Sequence, residues 1–521
     1  MGATVVIQVL ECAVDRRDLE GAGIGWPEFL CIMTGTFTVD GGQVRRMIMK
    51  DFKSGYLLPF ALLSALLTMG ACESTSNEPK SSQVDSIFSS WDSTDSPGCA
   101  LLILRDGQVL YEKGYGMADL EHGIPIGPDT VFYTGSVSKQ FVAMSLLLLE
   151  EQGRLSLDDD MRTYLPEFPD YGEVITLQHL VYHTSGIRDY LELWLMSGRN
   201  YLDEIPEMAA YEIIRRQKQL NVPPGERHLY SNSCYFLIPL IVERVTGQTF
   251  NQFAEENIFQ PLGMKDSHFH DDNGHIIPDR AFGYEKGERG FRALHMRFDL
   301  VGSGGLYSTV RDLARWDANF DDNRLGKGSP ELIEKAHVAG VLNSGEELSY
   351  AFALVNGSYR GLRTVSHGGS LGGYRAYFLR FPEQRFSVII LANLGDIEPG
   401  KLAHQVADLY LSDLYSEELP GEDQPSGEAT GSTEAPVVAD LAQFEGAYFS
   451  DELETRYWLE ANEGSLQLRI GWNAVVDLSP VARDRFKGSW FEIGFLRDPS
   501  GRVSSLVVDS GRVKGLRFER Q

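Results

Sequence analysis

The stretch FYTGSVSKQF, residues 132 to 141, sets Ser136 three positions before Lys139, at the head of the apolar run FVAMSLLLLEE. A helix built from that run is apolar around most of its circumference, so it has to be buried, and Lys139 goes in with it. A lysine facing a packed interior is costly unless it is paired or gives up its proton. Positions i and i+3 share a helix face, which brings the Lys139 amine within reach of the Ser136 hydroxyl. Serine is a weak nucleophile until a neighbour takes its proton, and a desolvated lysine is neutral enough to take it. The helix N-terminus adds positive field where an oxyanion would develop. Alone the pattern is weak, because two fixed positions in four recur by chance; an exposed Ser and Lys on a helix surface is the plain alternative.

A chain of 521 residues exceeds the ~250–300 at which single cores stop growing, so more than one domain is expected. The formal charge of −27, from 74 acidic against 47 basic residues, argues against nucleic acid or an anionic membrane surface as partner. The segment KDFKSGYLLPFALLSALLTMGAC, residues 50 to 72, has two lysines, an apolar run from Tyr56 to Met69 and small residues before Cys72. That run has the length of a secretory signal's hydrophobic region and is short for a membrane span. Gly70-Ala71-Cys72 resembles a bacterial lipoprotein cleavage box, which makes Cys72 the lipid attachment residue, with membrane contact through that anchor; an uncleaved signal anchor is the alternative. A start at Met47 or Met49, in place of Met1, fits a signal peptide over 47–71, with 1–46 an upstream, disordered extension. Of five cysteines, Cys99 and Cys234 remain for the folded part, and free buried thiols are expected there.

Residues 72–88 are polar and read as a tether. A block over 89–415 opens with a hairpin, CALLILR (99–105), Asp106-Gly107, QVLYEKGYG (108–116), then turns helical, and returns to strands in GLRTVSHGG, YRAYFLRF and FSVIILAN before a closing helix. Strands at both ends of a helical middle indicate one antiparallel sheet with a helical region inserted, an α+β architecture. Residues 416–436 are a Gly, Pro, Ser, Thr and Glu-rich linker, and 437–521 show short alternating runs that read as a small antiparallel barrel. No internal repeat is visible. Three histidines and two aspartates in HFHDDNGH (268–275) have no regular ligand spacing, so no metal is expected. The glycines of VGSGGLYS (301–308) read as close backbone packing ahead of a capping box at Thr309 to Asp312.

Two more segments change the weight of Ser136 and Lys139. Tyr230-Ser231-Asn232 precedes the apolar helix SCYFLIPLIVERVTG, and His367-Gly368-Gly369 lies on a strand. With the flanking HTSGI (183–187), PPGERHLYSNSCY (223–235), IFQPLGMKDSHF (258–269) and GSGGLYSTVRDLARW (302–316), this order resembles the serine β-lactamase/penicillin-binding-protein superfamily over roughly 95–415. The likeness is to its class C-like branch of β-lactamases, DD-carboxypeptidases, D-aminopeptidases and family VIII-type esterases. The C-terminal barrel is similar to lipocalin-like modules that accompany such hydrolases.

The resemblance implies a β-lactamase/transpeptidase-like domain that works through an acyl-enzyme and needs no cofactor. Ser136 is then the nucleophile. Tyr230, its pKa lowered beside a cationic Lys139, shares the proton traffic as base and later donor. Asn232 orients a substrate carbonyl or the Lys139 amine, and His367 lines the cleft. The amides of Ser136 and Ser370 form the oxyanion hole, and Gly368 with Gly369 leave an edge for substrate. His367 stands where class C lactamases carry a lysine, which shifts the expectation from β-lactams toward a D-amino-acid peptide or short acyl ester. The alternatives are a penicillin-binding or peptidoglycan-recognising lipoprotein with negligible turnover, or a weak β-lactamase; the location implied is the cell envelope, facing the periplasm. His183 is expected to be a buried hydrogen-bonding residue in a turn, and the barrel to carry no catalytic group.

Overall fold

The computed structural model describes residues 80–416 and 440–521 save 463, 472 and 473, together with three short strands nearer the N-terminus. Those strands, Ala3–Val5, Phe37–Asp40 and Gln43–Val44, pair antiparallel and belong to a separate unit, Met1–Asn77. The extension expected to be disordered therefore carries some pairing, and β-branched Thr4-Val5 and Thr38-Val39 supply the strand preference. The signal segment over 47–71, Cys72 and the linker from 417 lie outside the described residues. Among the described residues no helix is long and apolar enough to cross a membrane.

Glu78–Gln521 forms the second unit. Its centre is a six-stranded antiparallel sheet made of β1 (Cys99–Arg105), β2 (Gln108–Tyr115), β3 (Val355–Tyr359), β4 (Leu362–Leu371), β5 (Tyr374–Phe381) and β6 (Phe386–Ala392), in the order β3-β4-β5-β6-β1-β2. The expected hairpin closes through Asp106 and Gly107, both at positive φ (52° and 71°), the conformation a two-residue turn with the sheet's twist requires.

Strand β1 is apolar at nearly every position because both faces of the sheet are covered. Cys99, Leu101 and Ile103 pack on one side against Val84 and Phe88 of α1 (Lys80–Phe88) and Leu402, Val406 and Leu411 of the C-terminal helix of the domain, Pro399–Leu411. Ala100, Leu102 and Leu104 face the larger core that contains α2 (Lys139–Glu151) and the inserted helices. The tether expected over 72–88 thus ends in a helix: Val84 and Phe88, four positions apart, give the polar segment just enough apolar stripe to dock. Cys99 and Cys234 are buried free thiols.

The C-terminal segment is a closed eight-stranded antiparallel barrel, β7 (Gly446–Ser450) to β14 (Leu516–Arg520), in which each strand pairs with the next and β7 closes on β14. Alternation such as that of Thr455, Tyr457 and Leu459 (buried) with Arg456, Trp458 and Glu460 (exposed) fills its interior. The barrel docks on the helical region of the domain built on the six-stranded sheet through a buried ion pair, Arg188 Nη1 to Glu452 Oε2 at 2.8 Å.

One local expectation changes. Thr309 does cap the helix Val310–Asp321 by accepting from the Asp312 amide at 3.0 Å. Asp312 does not close a capping box; it accepts instead from the Asp266 amide and Ser267 Oγ, both at 2.8 Å, and ties down another loop. His268 and His270 of the HFHDDNGH stretch pack around the Tyr307 ring, with His270 buried.

Candidate active site

Ser136 sits in a 3-10 turn, Gly135–Ser138, that runs directly into α2. The turn is fixed from below: Ser138 Oγ donates to the Gly135 carbonyl at 2.6 Å and accepts from the Leu306 amide at 3.2 Å. It is also pressed against the end of β4. A Cβ on Gly369 would fall 2.0 Å from the Thr134 carbonyl oxygen, and one on Gly135, at φ 57°, 2.6 Å from the Ser370 amide nitrogen. Gly369 is therefore needed by the nucleophile's own turn, a correction to the reading that it clears space for substrate. Gly368 is different, since a Cβ there would meet nothing closer than 3.5 Å. Strand β3 pairs with β4 only as far as Ser366, so among the described residues His367 to Leu371 present an edge without a strand partner on that side. The amides of Ser136 and Ser370 lie together at this junction.

Lys139 is fully buried. Its Nζ has three neighbours: Ser136 Oγ at 3.0 Å, Asn232 Oδ1 at 2.9 Å and the Ser303 carbonyl at 2.5 Å. Burial holds its pKa well below the ordinary lysine value; Asp189 opposes this and Arg512 adds to it. The geometry gives that direction a use. Asn232 Oδ1 and the Ser303 carbonyl can only accept, so a neutral amine donates its two hydrogens to them and turns its lone pair to Ser136 Oγ.

Asn232 opens the helix Asn232–Thr246, and its amide orientation is dictated by Asp189. Asp189 Oδ2 accepts from Asn232 Nδ2 at 2.8 Å and from its backbone amide at 2.6 Å, which leaves Oδ1 for the lysine. Of the two partners expected for Asn232, the structure holds the Lys139 amine. Asp189 itself is fixed as the N-cap of the helix Tyr190–Met196, accepting from the amides of Leu191 and Glu192 at 3.0 Å.

The Tyr230 ring lies 5.0 Å from Lys139 Nζ, packed against the His183 ring at 4.1 Å. Ser136 lies close enough to lower the phenol's pKa, yet the hydroxyl makes no well-formed hydrogen bond. Burial dominates and pushes the Tyr230 phenol up. The expectation of a phenol acidified by a cationic lysine fails for one reason: the same desolvation that strips Lys139 of its charge also disfavours phenolate. His183, at φ 56° and buried, accepts from the Ser231 amide at 3.1 Å, and so holds the backbone next to Tyr230.

His367 lines the cavity but carries no charge. Its Nδ1 lies 2.7 Å from the Gly368 carbonyl and must donate there, so Nε2 accepts from the Tyr350 hydroxyl at 3.1 Å. Burial, assisted by Lys139, pulls its pKa down to about 4. The cavity has a volume of about 760 Å³, and its wall includes Ser136, Tyr230, Asn232, His367, Ser370 and Arg512. Sequence reasoning missed Asp189, the Ser303 carbonyl and Arg512. The GSGG stretch was visible as a close backbone approach, whereas Asp189 and Arg512 sit in motifs with no spacing rule of their own.

A family model described as Beta-lactamase matches residues 85–411, well over half of the chain. The chain belongs to the beta-lactamase family. Among its relatives, the D-aminopeptidase of Gluconobacter oxydans (strain 621H) is 30% identical over 299 residues, 57% of this chain and 56% of that enzyme, so the chain spans little more than half of its length. Penicillin-binding protein 4* of Bacillus subtilis (strain 168) is 26% identical over 432 residues, 79% of this chain and 92% of its own. The octameric penicillin-binding protein homologue from Pyrococcus abyssi superposes with a TM-score of 0.56 at 25% identity, over 84% of this chain and 98% of the other. That last match extends past the beta-lactamase family domain itself.

Proposed function

We propose that the protein is a serine hydrolase that cleaves a small amide or ester, such as a D-amino-acid peptide or short acyl ester, through an acyl-enzyme at Ser136. The observation that carries this reading is the Lys139 amine, 3.0 Å from Ser136 Oγ with its two hydrogens directed at the acceptors Asn232 Oδ1 and the Ser303 carbonyl. Lys139 takes the Ser136 proton as Oγ forms its bond to the substrate carbonyl carbon. The amides of Ser136 and Ser370 receive the oxyanion, one such donor contributing ~3–4 kcal/mol. Tyr230, protonated because it is buried, passes its proton to the leaving nitrogen or oxygen as that bond breaks, and its phenolate takes back the proton that Lys139 removed from Ser136. Water then releases the acid from Ser136. Relatives named D-aminopeptidase and penicillin-binding protein support an acyl-transfer chemistry of this kind. Delivery to the cell envelope through a lipid on Cys72 belongs to the same proposal.

A panel of nitrocefin, p-nitrophenyl butyrate and D-alanyl peptides tests it. Multiple turnovers on a peptide or ester are expected, lost in Ser136→Ala and cut ~10²–10⁴-fold in Tyr230→Phe. Labelled penicillin that stays bound for hours with no turnover of any substrate would favour a binding lipoprotein instead.

A further inference from the structure

The cavity beside Ser136 folds over the free edge of β4. Its wall carries Ser136, Asn232 and Ser303 on one face of the sheet and Tyr377, Pro399 and Lys401 on the other. Strand register fixes which side chains lie on that outer face. Gly369 faces the nucleophile's turn, so the residues on either side of it, Gly368 and Ser370, face away from the turn. Across the ladder Gly368 pairs with Tyr377 and Ser370 with Arg375. Core packing agrees: Tyr374, Ala376 and Phe378 join the core that contains α2, whereas Tyr377, Leu379 and Phe381 pack with the Pro399–Leu411 helix. Arg375 therefore stands on the outer face, directly across the ladder from Ser370, and lines the cavity there.

That guanidinium is half-buried and has no carboxylate of its own. Nη1 donates to the Tyr374 carbonyl at 2.8 Å, and among the described residues the group forms no ion pair. Burial pulls its pKa below the ordinary arginine value, and Tyr201 and Asp396 only partly oppose this. By contrast, the buried guanidinium groups of Arg188 and Arg380 are matched by Glu452 and Asp317. Lys401, exposed in the first turn of the Pro399–Leu411 helix, is likewise without an ion pair among the described residues. Glu398, exposed just before that helix, lines the same stretch of wall. Two cations thus stand there against one carboxylate.

The direction a substrate takes along this edge follows from Tyr230. Tyr230, His367 and Gly368 lie at one end, where they also border a neighbouring cleft with Tyr350. Leu371, Arg375 and Tyr201 lie at the other, past the Ser370 amide. The departing fragment takes its proton from Tyr230, so the fragment that stays on Ser136 extends toward Leu371 and Arg375. We infer that Arg375, helped by Lys401, determines specificity on the acyl side by receiving a carboxylate at the far end of the acyl group. A guanidinium offers a planar fork of N–H donors that a carboxylate fills with two parallel bonds. With Glu398 opposing the two cations, the wall keeps one positive charge, which suits one such anion. The substrate class is thus a half-ester or half-amide of a dicarboxylic acid, or a peptide cleaved after a residue with an acidic side chain. This rests on the reading of Ser136 as the acylated nucleophile.

The test compares two p-nitrophenyl esters of equal chain length, mono-p-nitrophenyl adipate and p-nitrophenyl hexanoate, on the full chain. p-Nitrophenolate leaves without a proton, so neither rate depends on Tyr230 as donor. The adipate is expected to be hydrolysed with about 10-fold higher kcat/KM than the hexanoate. That ratio falls to near unity in Arg375→Gln and persists in part in Arg375→Lys. It falls in part in Lys401→Gln, an exposed position whose change leaves the packing of the sheet alone. A ratio at or below one in the parent, or one that survives undiminished in Arg375→Gln or in Lys401→Gln, would overturn the inference. Failure of the parent to hydrolyse either ester would instead refute the hydrolase reading beneath it.

Discussion

His367 shows how a residue type legible in the sequence can act through a state that the sequence does not reveal. The motif placed an imidazole at the third-motif strand, but its tautomer and charge are set by the Gly368 carbonyl, the Tyr350 hydroxyl and burial, none of which has a sequence signal. With an ordinary value of 6.5 and a folded value of about 4, His367 binds a proton in the unfolded chain but not in the folded one between those limits. Its contribution to stability therefore falls as pH drops through 6.5 toward 4, by up to ~3 kcal/mol, and is flat above 7. Denaturant unfolding at pH 7 and pH 4.5 checks this: His367→Gln is expected to show a smaller loss between the two than the parent. Ser136 and Lys139 were legible as a hydroxyl and an amine one helical turn apart, and Tyr230 and Asn232 through the motifs that carry the family resemblance. Asp189 was not, because its role is to orient Asn232 from 43 residues away.

At the scale of elements, β1, the hairpin turn, α2 and the helix Asn232–Thr246 were legible because each has an unbroken apolar pattern or a turn dipeptide with one favoured geometry. The helix Lys80–Phe88 was not, since its one i, i+3, i+4 set, Val84, Ile87 and Phe88, is too short to stand out from a polar segment; the groove formed with the Pro399–Leu411 helix gives it something to pack on. Phe88 stacks on Tyr115 with ring centroids 4.9 Å apart, which makes that helix part of the folded domain. Phe88→Ala is expected to destabilise it by ~3–5 kcal/mol, read as a shift of the urea midpoint. A tether would show no shift. Gly369 belongs to this scale too: the glycine is legible, but whether it clears room for a ligand or for the chain's own turn depends on where β4 meets Gly135–Ser138.

Across the whole molecule, the barrel was legible as a separate run of alternating strands, and its contact with the catalytic domain was not. Docking is carried by single residues far apart in the chain, above all Arg188 and Glu452, both buried, with Glu452 also accepting from the Lys218 amide at 2.7 Å. Removing one partner of a buried pair strands the other charge, so Glu452→Gln is expected to lower the unfolding free energy by ~3–5 kcal/mol. Because Arg188 precedes Asp189, the same variant should slow Ser136 labelling; unchanged labelling at full loss of stability would mean the barrel acts on the fold alone. The account depends most on Lys139 activating Ser136, and peptide mapping of a fluorophosphonate adduct addresses that directly. The adduct is expected on Ser136 in the parent and absent in a folded Lys139→Ala variant, whereas an adduct at another residue, or undiminished labelling without the lysine, would contradict it.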